Sequence, residues 1–286
     1  MMTDPKHTVK AAVLDLYNNE PNEGMRCIRD ILHRANGRVC DVPLVFDVFD
    51  VRHKGEIPDL SYDIYISSGG PGSPFEGEGQ AWDRDYFDWL DKLWRHNETE
   101  YSGKKFLCAI CHSFELMTRF FEFAEITPRK SKSFGIMPVH KTPAGKHEII
   151  FSDLNNPFFA ADIREYQVVQ PKKSRIHELG AEIIALEKIR PHIDLERAVM
   201  GVRMSPEIVG VQFHPEADPE AMAYHFQNPK NKSAIIHEHG EEKYNIIMHR
   251  LADPNYLTPT QETVIPNFLT NAIENLRPEL VFDMAI

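Results

Sequence analysis

Apolar residues along the chain form two kinds of pattern, short unbroken runs and stripes at three- and four-residue spacing. Val9 to Leu16 (V-K-A-A-V-L-D-L) reads as a buried strand. Met25, Ile28, Ile31, Leu32 and Ala35 then give a helical stripe, closed by Gly37 as a C-terminal cap. Pro43 to Val51 and Asp63 to Ile66 are the next strands. Trp82, Tyr86, Trp89, Leu90 and Leu93 mark an amphipathic helix over Trp82 to Trp94. Phe106 to Ile110 is a short apolar run, after which Phe114, Met117, Phe120 and Phe121 recur at helical spacing. Alternation of this kind predicts an α/β fold with a mostly parallel central sheet flanked by helices.

The second half reads differently. Gly and Pro interrupt the apolar runs between Phe134 and Phe151, which predicts hairpins. Glu165 to Gln170 and Ala181 to Leu186 are expected as antiparallel strands, and Glu207 to His214 as a strand ending at the histidine. Beyond Ala217 the pattern is helical over Ala221 to Phe226, Glu241 to Leu251 and Thr260 to Leu276. Thr258 with Gln261 fits a capping box, Pro259 suits the first helical position, and Pro266 should kink or interrupt the last helix. The expected division is therefore residues 1–217 as one α/β domain and 218–286 as a helical C-terminal extension packed on it.

Charge and cysteine usage narrow the function classes. The chain has 286 residues and a net charge of −11, which argues against a nucleic-acid partner because nothing would offset phosphate repulsion. No apolar run is long enough to span a membrane, and the N-terminal residues lack the apolar region of a signal peptide. With four cysteines and no secretory signal, a reducing cytoplasm is the expected compartment. Cys108 and Cys111 form C-x-x-C, but a redox pair needs both sulfurs at a helix start, and Cys108 falls inside the apolar run.

Three stretches carry candidate chemistry. Cys111 lies at a strand-to-helix junction, where a nucleophile is held out of the core and the helix N-terminus favours its thiolate. Read alone, it is more readily a small buried hydrophobe, the usual fate of such a cysteine. The third strand runs into Ser67-Ser-Gly-Gly-Pro-Gly-Ser-Pro74, whose glycines let a ligand approach the backbone. The strand near the end of the first domain finishes in His214-Pro-Glu216. A thiol nucleophile needs a base, the base needs an orienting acceptor, and a developing oxyanion needs backbone donors. His214, Glu216 and the glycine loop can supply these. His237, His239 and His249 lack the spacing of a helical zinc site and read as solvated helix surface, and no metal or cofactor is expected.

Together the three stretches resemble the class I glutamine amidotransferases. The residues that carry the resemblance are Ser68-Gly-Gly-Pro-Gly-Ser-Pro74, Ala109-Ile-Cys-His-Ser113 and Val211-Gln-Phe-His-Pro-Glu216, within a span of about residues 9 to 217. The resemblance implies a doubly wound α/β fold, Cys111 as the nucleophile that forms a γ-glutamyl thioester and releases ammonia, His214 as general base and acid, and Glu216 as its orienting partner. It also implies Gly70 and His112 as oxyanion-hole donors, and Gly69, Gly72 and Glu115 as substrate-binding positions. Ala109 and Ser113 replace the two glycines of the family's nucleophile turn. Phe114-Glu115 stands where the amidotransferases have His-Gln and is similar instead to γ-glutamyl hydrolases.

The resemblance leaves several functional readings. The substrate is glutamine or another γ-glutamyl compound. No ATP-binding motif accompanies the site, so either a separate synthetase subunit takes the ammonia or the protein hydrolyses its substrate alone. A non-catalytic metabolite-binding relative and a homoserine-type acyltransferase are the alternatives from other classes. The C-terminal extension has room to cover the sheet, to cap the site or to form a homo-oligomer interface.

Overall fold

Five parallel strands form one side of a nine-stranded sheet in the computed structural model, which describes residues 8–39, 41–189 and 196–279. The strands are β1 (Val9–Asp15), β2 (Leu44–Asp50), β3 (Ile64–Ser67), β4 (Phe106–Ile110), β5 (Glu125–Lys141), β6 (Phe158–Val169), β7 (Glu182–Glu187), β8 (Val199–Arg203) and β9 (Ile208–Val211). Their order is β2-β1-β3-β4-β9-β8-β7-β5-β6. The half from β2 to β9 is parallel, and β8, β7, β5 and β6 continue it as antiparallel neighbours.

Helices cover both faces of the parallel half, so its central strands must be apolar on both sides. All residues of β3, β4 and β9 are buried. Alternate residues sort to opposite faces. Val9, Ala11, Val13, Ile64, Ile66, Phe106, Cys108 and Ile110 share one core with helices α1 (Gly24–Ala35) and, at the far end of the chain, Thr258–Leu276. Ala12, Leu14, Tyr65, Leu107 and Ala109 meet the other core. There, beyond the short α2 (Val51–Lys54), they pack with α3 (Ala81–Thr99) and α4 (His112–Phe121). Asn36, not Gly37, caps α1, its N–H donating to Leu32 O, while Gly37 follows at φ +71 and donates to Val42 O.

The antiparallel half departs from the expected hairpins. β5 runs unbroken through Gly135 and Pro138, with a register shift between Pro128 and Ser133. β7 borders β5 only over Val139–Lys141, so both prolines lie where one edge has no strand partner and a missing N–H leaves no ladder bond unmade. Strand β8 has no separate signal in the sequence.

After α5 (Lys173–Glu178) and β9 come the helices α6 (Pro219–Gln227), α7 (Pro229–His239), α8 (Glu241–Ala252) and α9 (Thr258–Leu276). Helices α6 to α8 share a third apolar cluster with Phe134, Ile136 and Ala161 of β5 and β6. The predicted capping box is absent: Leu257 is the N-cap, and the hydroxyl of Thr260 donates instead to the Phe159 carbonyl at 2.6 Å. Helix α9 continues through Pro266, because Val264, Ile265, Phe268, Leu269, Ala272 and Ile273 are buried on the main core and hold it there. Helix α7 has no counterpart among the predicted elements. It buries only Ile235, and its start is marked by the Asn228 cap and Pro229. No helix among the described residues is long and apolar enough to cross a membrane.

Candidate active site

Strands β3, β4 and β9 are neighbours, and their carboxyl ends deliver the three chemistry-bearing stretches to one place. Ser67 of β3 pairs with Ala109, and Ile110 of β4 pairs with Val211. The glycine loop, Cys111 and the segment leading to His214 therefore start side by side.

Cys111 is the turn residue itself. It has φ 50° and ψ −102°, a conformation that side-chain-bearing residues rarely adopt, and such strain costs of order 1–3 kcal/mol. Several contacts impose it. The Cys111 N–H donates to the Val211 carbonyl at 2.8 Å, and its own carbonyl accepts from Glu115 N–H at 3.0 Å as α4 begins. Ser113 Oγ donates to the Ser68 carbonyl and, at 3.2 Å, to that of Ile110, so the hydroxyl ties the turn to the glycine loop. Helix α4 lies close on β9 because residue 210 is glycine. A Cβ there would sit 2.4 Å from Met117 Cε and 2.7 Å from Phe114 Cδ2.

The His214 ring is held from both sides. Nδ1 lies 2.8 Å from Glu216 Oε1, and the His214 backbone N–H donates to Ala161 O at 2.9 Å. Glu216 is buried, and its Oε2 has no partner among the described residues. Gly69 makes room for the ring, since a Cβ there would fall 2.8 Å from His214 Cε1. Burial is the largest influence on the Cys111 thiol and pushes its pKa up, while His214 acts in the opposite direction by charge and hydrogen bonding. The expected net lowering of the thiol is thus not found, because the sulfur is more deeply enclosed than the strand-to-helix pattern suggests. Burial disfavours the imidazolium, yet the Cys111 thiolate and the Glu216 carboxylate outweigh it and hold His214 well above its ordinary value.

A cleft of about 560 Å³ opens on these groups, lined by Gly70, Gly72, Cys111, Glu115, His214 and Glu216 among others. Glu115 is buried beside the nucleophile, and burial pushes its carboxyl up to about 7 against the pull of the Gln212 hydrogen bond and the Arg164 charge. The His112 side chain turns away from the cleft into the protein. Both its ring nitrogens are buried without partners among the described residues, and burial lowers it to about 3, so the ring is neutral. Any part His112 plays in the site belongs to its backbone N–H.

Four further groups are not singled out by sequence. Gln212, within a quoted motif but given no role there, donates to Glu115 Oε1 at 3.0 Å. Tyr17 lines the cleft, and burial together with Glu216 and Cys111 holds its hydroxyl well above its usual value. Arg164, on the same wall, is ion-paired to Asp162 at 2.8 Å. Arg52 donates to the carbonyls of Leu16 at 3.1 Å and Pro71 at 2.7 Å and pairs with Glu76, which clamps the glycine loop.

The fold is a mostly parallel α/β sheet flanked by helices, with Cys111, His214 and Glu216 gathered on one cleft at its strand ends. The class-I glutamine amidotransferase family model matches residues 27–231, and the chain belongs to that family. No curated protein sequence matches it. Among solved structures it is similar to a glutamine amidotransferase from Thermotoga maritima, at 15% identity and a TM-score of 0.66, covering 94% of this chain and 99% of that one. It is also similar to a glutamine amidotransferase from Methylobacillus flagellatus (11% identity, TM-score 0.56, 96% and 94% covered). The glutaminase domain of Trypanosoma brucei CTPS with bound acivicin is a third (16% identity, TM-score 0.54, 73% and 86% covered). At these identities the likeness is one of fold.

Proposed function

We propose that this protein hydrolyses the γ-amide of glutamine, or of a related γ-glutamyl compound, through a thioester on Cys111. The observation that carries the reading is the His214 Nδ1–Glu216 Oε1 contact of 2.8 Å in the cleft that also holds Cys111. With Nδ1 engaged by Glu216, Nε2 is the nitrogen left to take the thiol proton. Sulfur then attacks the amide carbon, and the backbone N–H groups of Gly70 and His112 receive the negative oxygen. His214 returns the proton to the leaving nitrogen, ammonia departs, and the γ-glutamyl group remains on sulfur. A water molecule, deprotonated by the same ring, cleaves the thioester, regenerating the thiol and releasing glutamate.

In this reading residues 1–217 carry the chemistry and 218–286 form a covering extension. The ammonia passes to a separate synthetase subunit, as the similarity to a CTPS glutaminase domain supports. One observation favours a second reading. The buried Glu115 places a titratable carboxyl beside the nucleophile. A γ-glutamyl hydrolase acting on a compound other than glutamine accommodates it as well.

The test is ammonia release from L-glutamine by the purified protein, with Cys111→Ala as control, alongside release of the amine from γ-glutamyl peptides. Cys111-dependent ammonia release supports the first reading, and Cys111-dependent turnover of the peptides alone supports the second. No Cys111-dependent turnover of either, with or without a synthetase, overturns both.

A further inference from the structure

A second cavity, of about 170 Å³, lies between β5 and β6 of the sheet and helices α7 and α8. Its wall is basic although the chain as a whole carries −11. Arg129, Lys132, Lys188, His239 and Lys243 face two carboxylates, Asp162 and Glu187. Those carboxylates are already engaged. Asp162 takes Arg164 at 2.8 Å and the Ser133 hydroxyl at 2.7 Å, and Glu187 takes Arg129 at 3.2 Å and Arg164 at 3.5 Å. Lys132 reaches Glu165 on the surface at 3.0 Å.

Two ammonium groups are left over. Lys243 Nζ finds a thioether, Met137 Sδ at 3.7 Å, and Lys188 has no carboxylate within ion-pair distance among the described residues. Burial, then the charges of Lys188 and Arg250, push the Lys243 pKa down, with Asp162 acting the other way, so Lys188 and Lys243 repel across the cavity. His239 Nε2 is buried there with no hydrogen-bond partner among the described residues, 3.7 Å from the Glu238 carboxylate. Asp162 and Glu238 compensate these crowded cations and the buried ring nitrogen only in part, and a multivalent anion would engage all three.

We propose that this cavity binds a small phosphate-class oxyanion, inorganic phosphate or a phosphate monoester, held by Lys188, Lys243 and the His239 ring. A monocarboxylate would neutralise one charge and leave the others facing each other, and the volume is too small for a nucleotide. The site adjoins the catalytic cleft. Lys132 lines both cavities, and Asp162 of this one holds Arg164 of the other.

The experiment is calorimetric titration of the full chain with inorganic phosphate and, separately, glycerol phosphate, at constant ionic strength in chloride. Saturable binding of one anion per chain is expected, weakened at least about tenfold in the Lys188→Met/Lys243→Met double variant. That variant, freed of the repulsion, should melt no lower than the wild type without phosphate. Tighter binding of glycerol phosphate identifies a monoester, and equal or weaker binding identifies free phosphate. Should the double variant not fold, acetylation footprinting of the wild type decides. Phosphate should shield Lys188 and Lys243 while leaving the exposed Lys54 and Lys230 unchanged. Absence of saturable heat, unchanged affinity in a folded double variant, or no selective shielding overturns the proposal.

Discussion

Gln212 Nε2 donates to Glu115 Oε1 at 3.0 Å, which fastens the end of β9, two residues before His214, to the helix that begins at Cys111. The two halves of the candidate catalytic pair are thereby fixed to each other by a buried side-chain bond rather than by backbone alone. The acceptor is a carboxyl group that burial drives up to about 7. The same contact thus aligns the site and makes it sensitive to pH.

Replacing Glu115 with glutamine should change how stability depends on pH. The folded protein binds the Glu115 proton more tightly than the unfolded chain does, since the pKa rises from 4.5 to about 7. Its contribution is full below the unfolded value and is lost as pH rises through the folded one, by up to about 3 kcal/mol. The amide of the variant keeps an oxygen for Gln212 and has no charge to bury. Urea unfolding of Glu115→Gln and wild type should run parallel below pH 4.5, diverge in favour of the variant as the pH rises from 4.5 to about 7, and run parallel again above that. Parallel curves across that range would show that Glu115 is not the titrating group.

Strain at Cys111 gives a second prediction. Glycine tolerates φ 50° and ψ −102° while alanine does not, so Cys111→Gly should be more stable than Cys111→Ala. The difference expected is about 1 kcal/mol, the strain relieved less the added chain entropy of glycine. Thermal melts of both variants check it, and equal stability would mean the turn is relaxed. Neither variant should release ammonia if the sulfur is the nucleophile.

Much of this site was legible in the sequence because its parts are local. A glycine loop after a strand, a cysteine between an apolar run and a helical stripe, and His-Pro-Glu after a strand are patterns of neighbouring residues. The parallel half of the sheet was legible for the same reason, since strands buried on both faces are continuous apolar runs. Contacts between distant residues left no such trace. Asp162 and Arg164 gain their roles only when β6 crosses the mouth of the cleft, and Arg52 only when a short helix swings under the glycine loop. The depth of burial that raises the Cys111 thiol is likewise a property of the assembled cleft. Gly and Pro misled the reading of β5 because an edge without a strand partner tolerates both.

Gly210 carries the third prediction. Its missing side chain is where Phe114 and Met117 press onto β9. Both are fully buried, and the flexible Met117 methyl can shift where the rigid Phe114 ring cannot. Gly210→Ala should push α4 outward, costing about 1–3 kcal/mol as other overpacked cores do. Because α4 starts at Cys111, any Cys111-dependent turnover should fall further than the stability loss alone accounts for. Denaturant melts with parallel turnover assays measure both, and a variant as stable and active as wild type would show that α4 has slack.

Arg52 tests the oxyanion assignment from outside the cleft. Its guanidinium donates to the carbonyls of Leu16 and Pro71 and pairs with Glu76, so it fixes the loop that follows Gly70 against the end of β1. The backbone leaves no freedom there, since a Cβ on Gly70 would come within 2.4 Å of Leu16 O. Arg52→Met keeps the apolar stem and removes every donor, and Arg52→Lys restores the charge but not the two-pronged geometry. If the Gly70 amide receives the oxyanion, displacing it should lower kcat with a smaller effect on KM, because that contact strengthens only in the transition state. The drop should approach the roughly 10²–10³ seen when one oxyanion donor is lost, with Lys between Met and the wild type. A purely structural role would instead lower the melting temperature and leave kcat of the folded fraction unchanged.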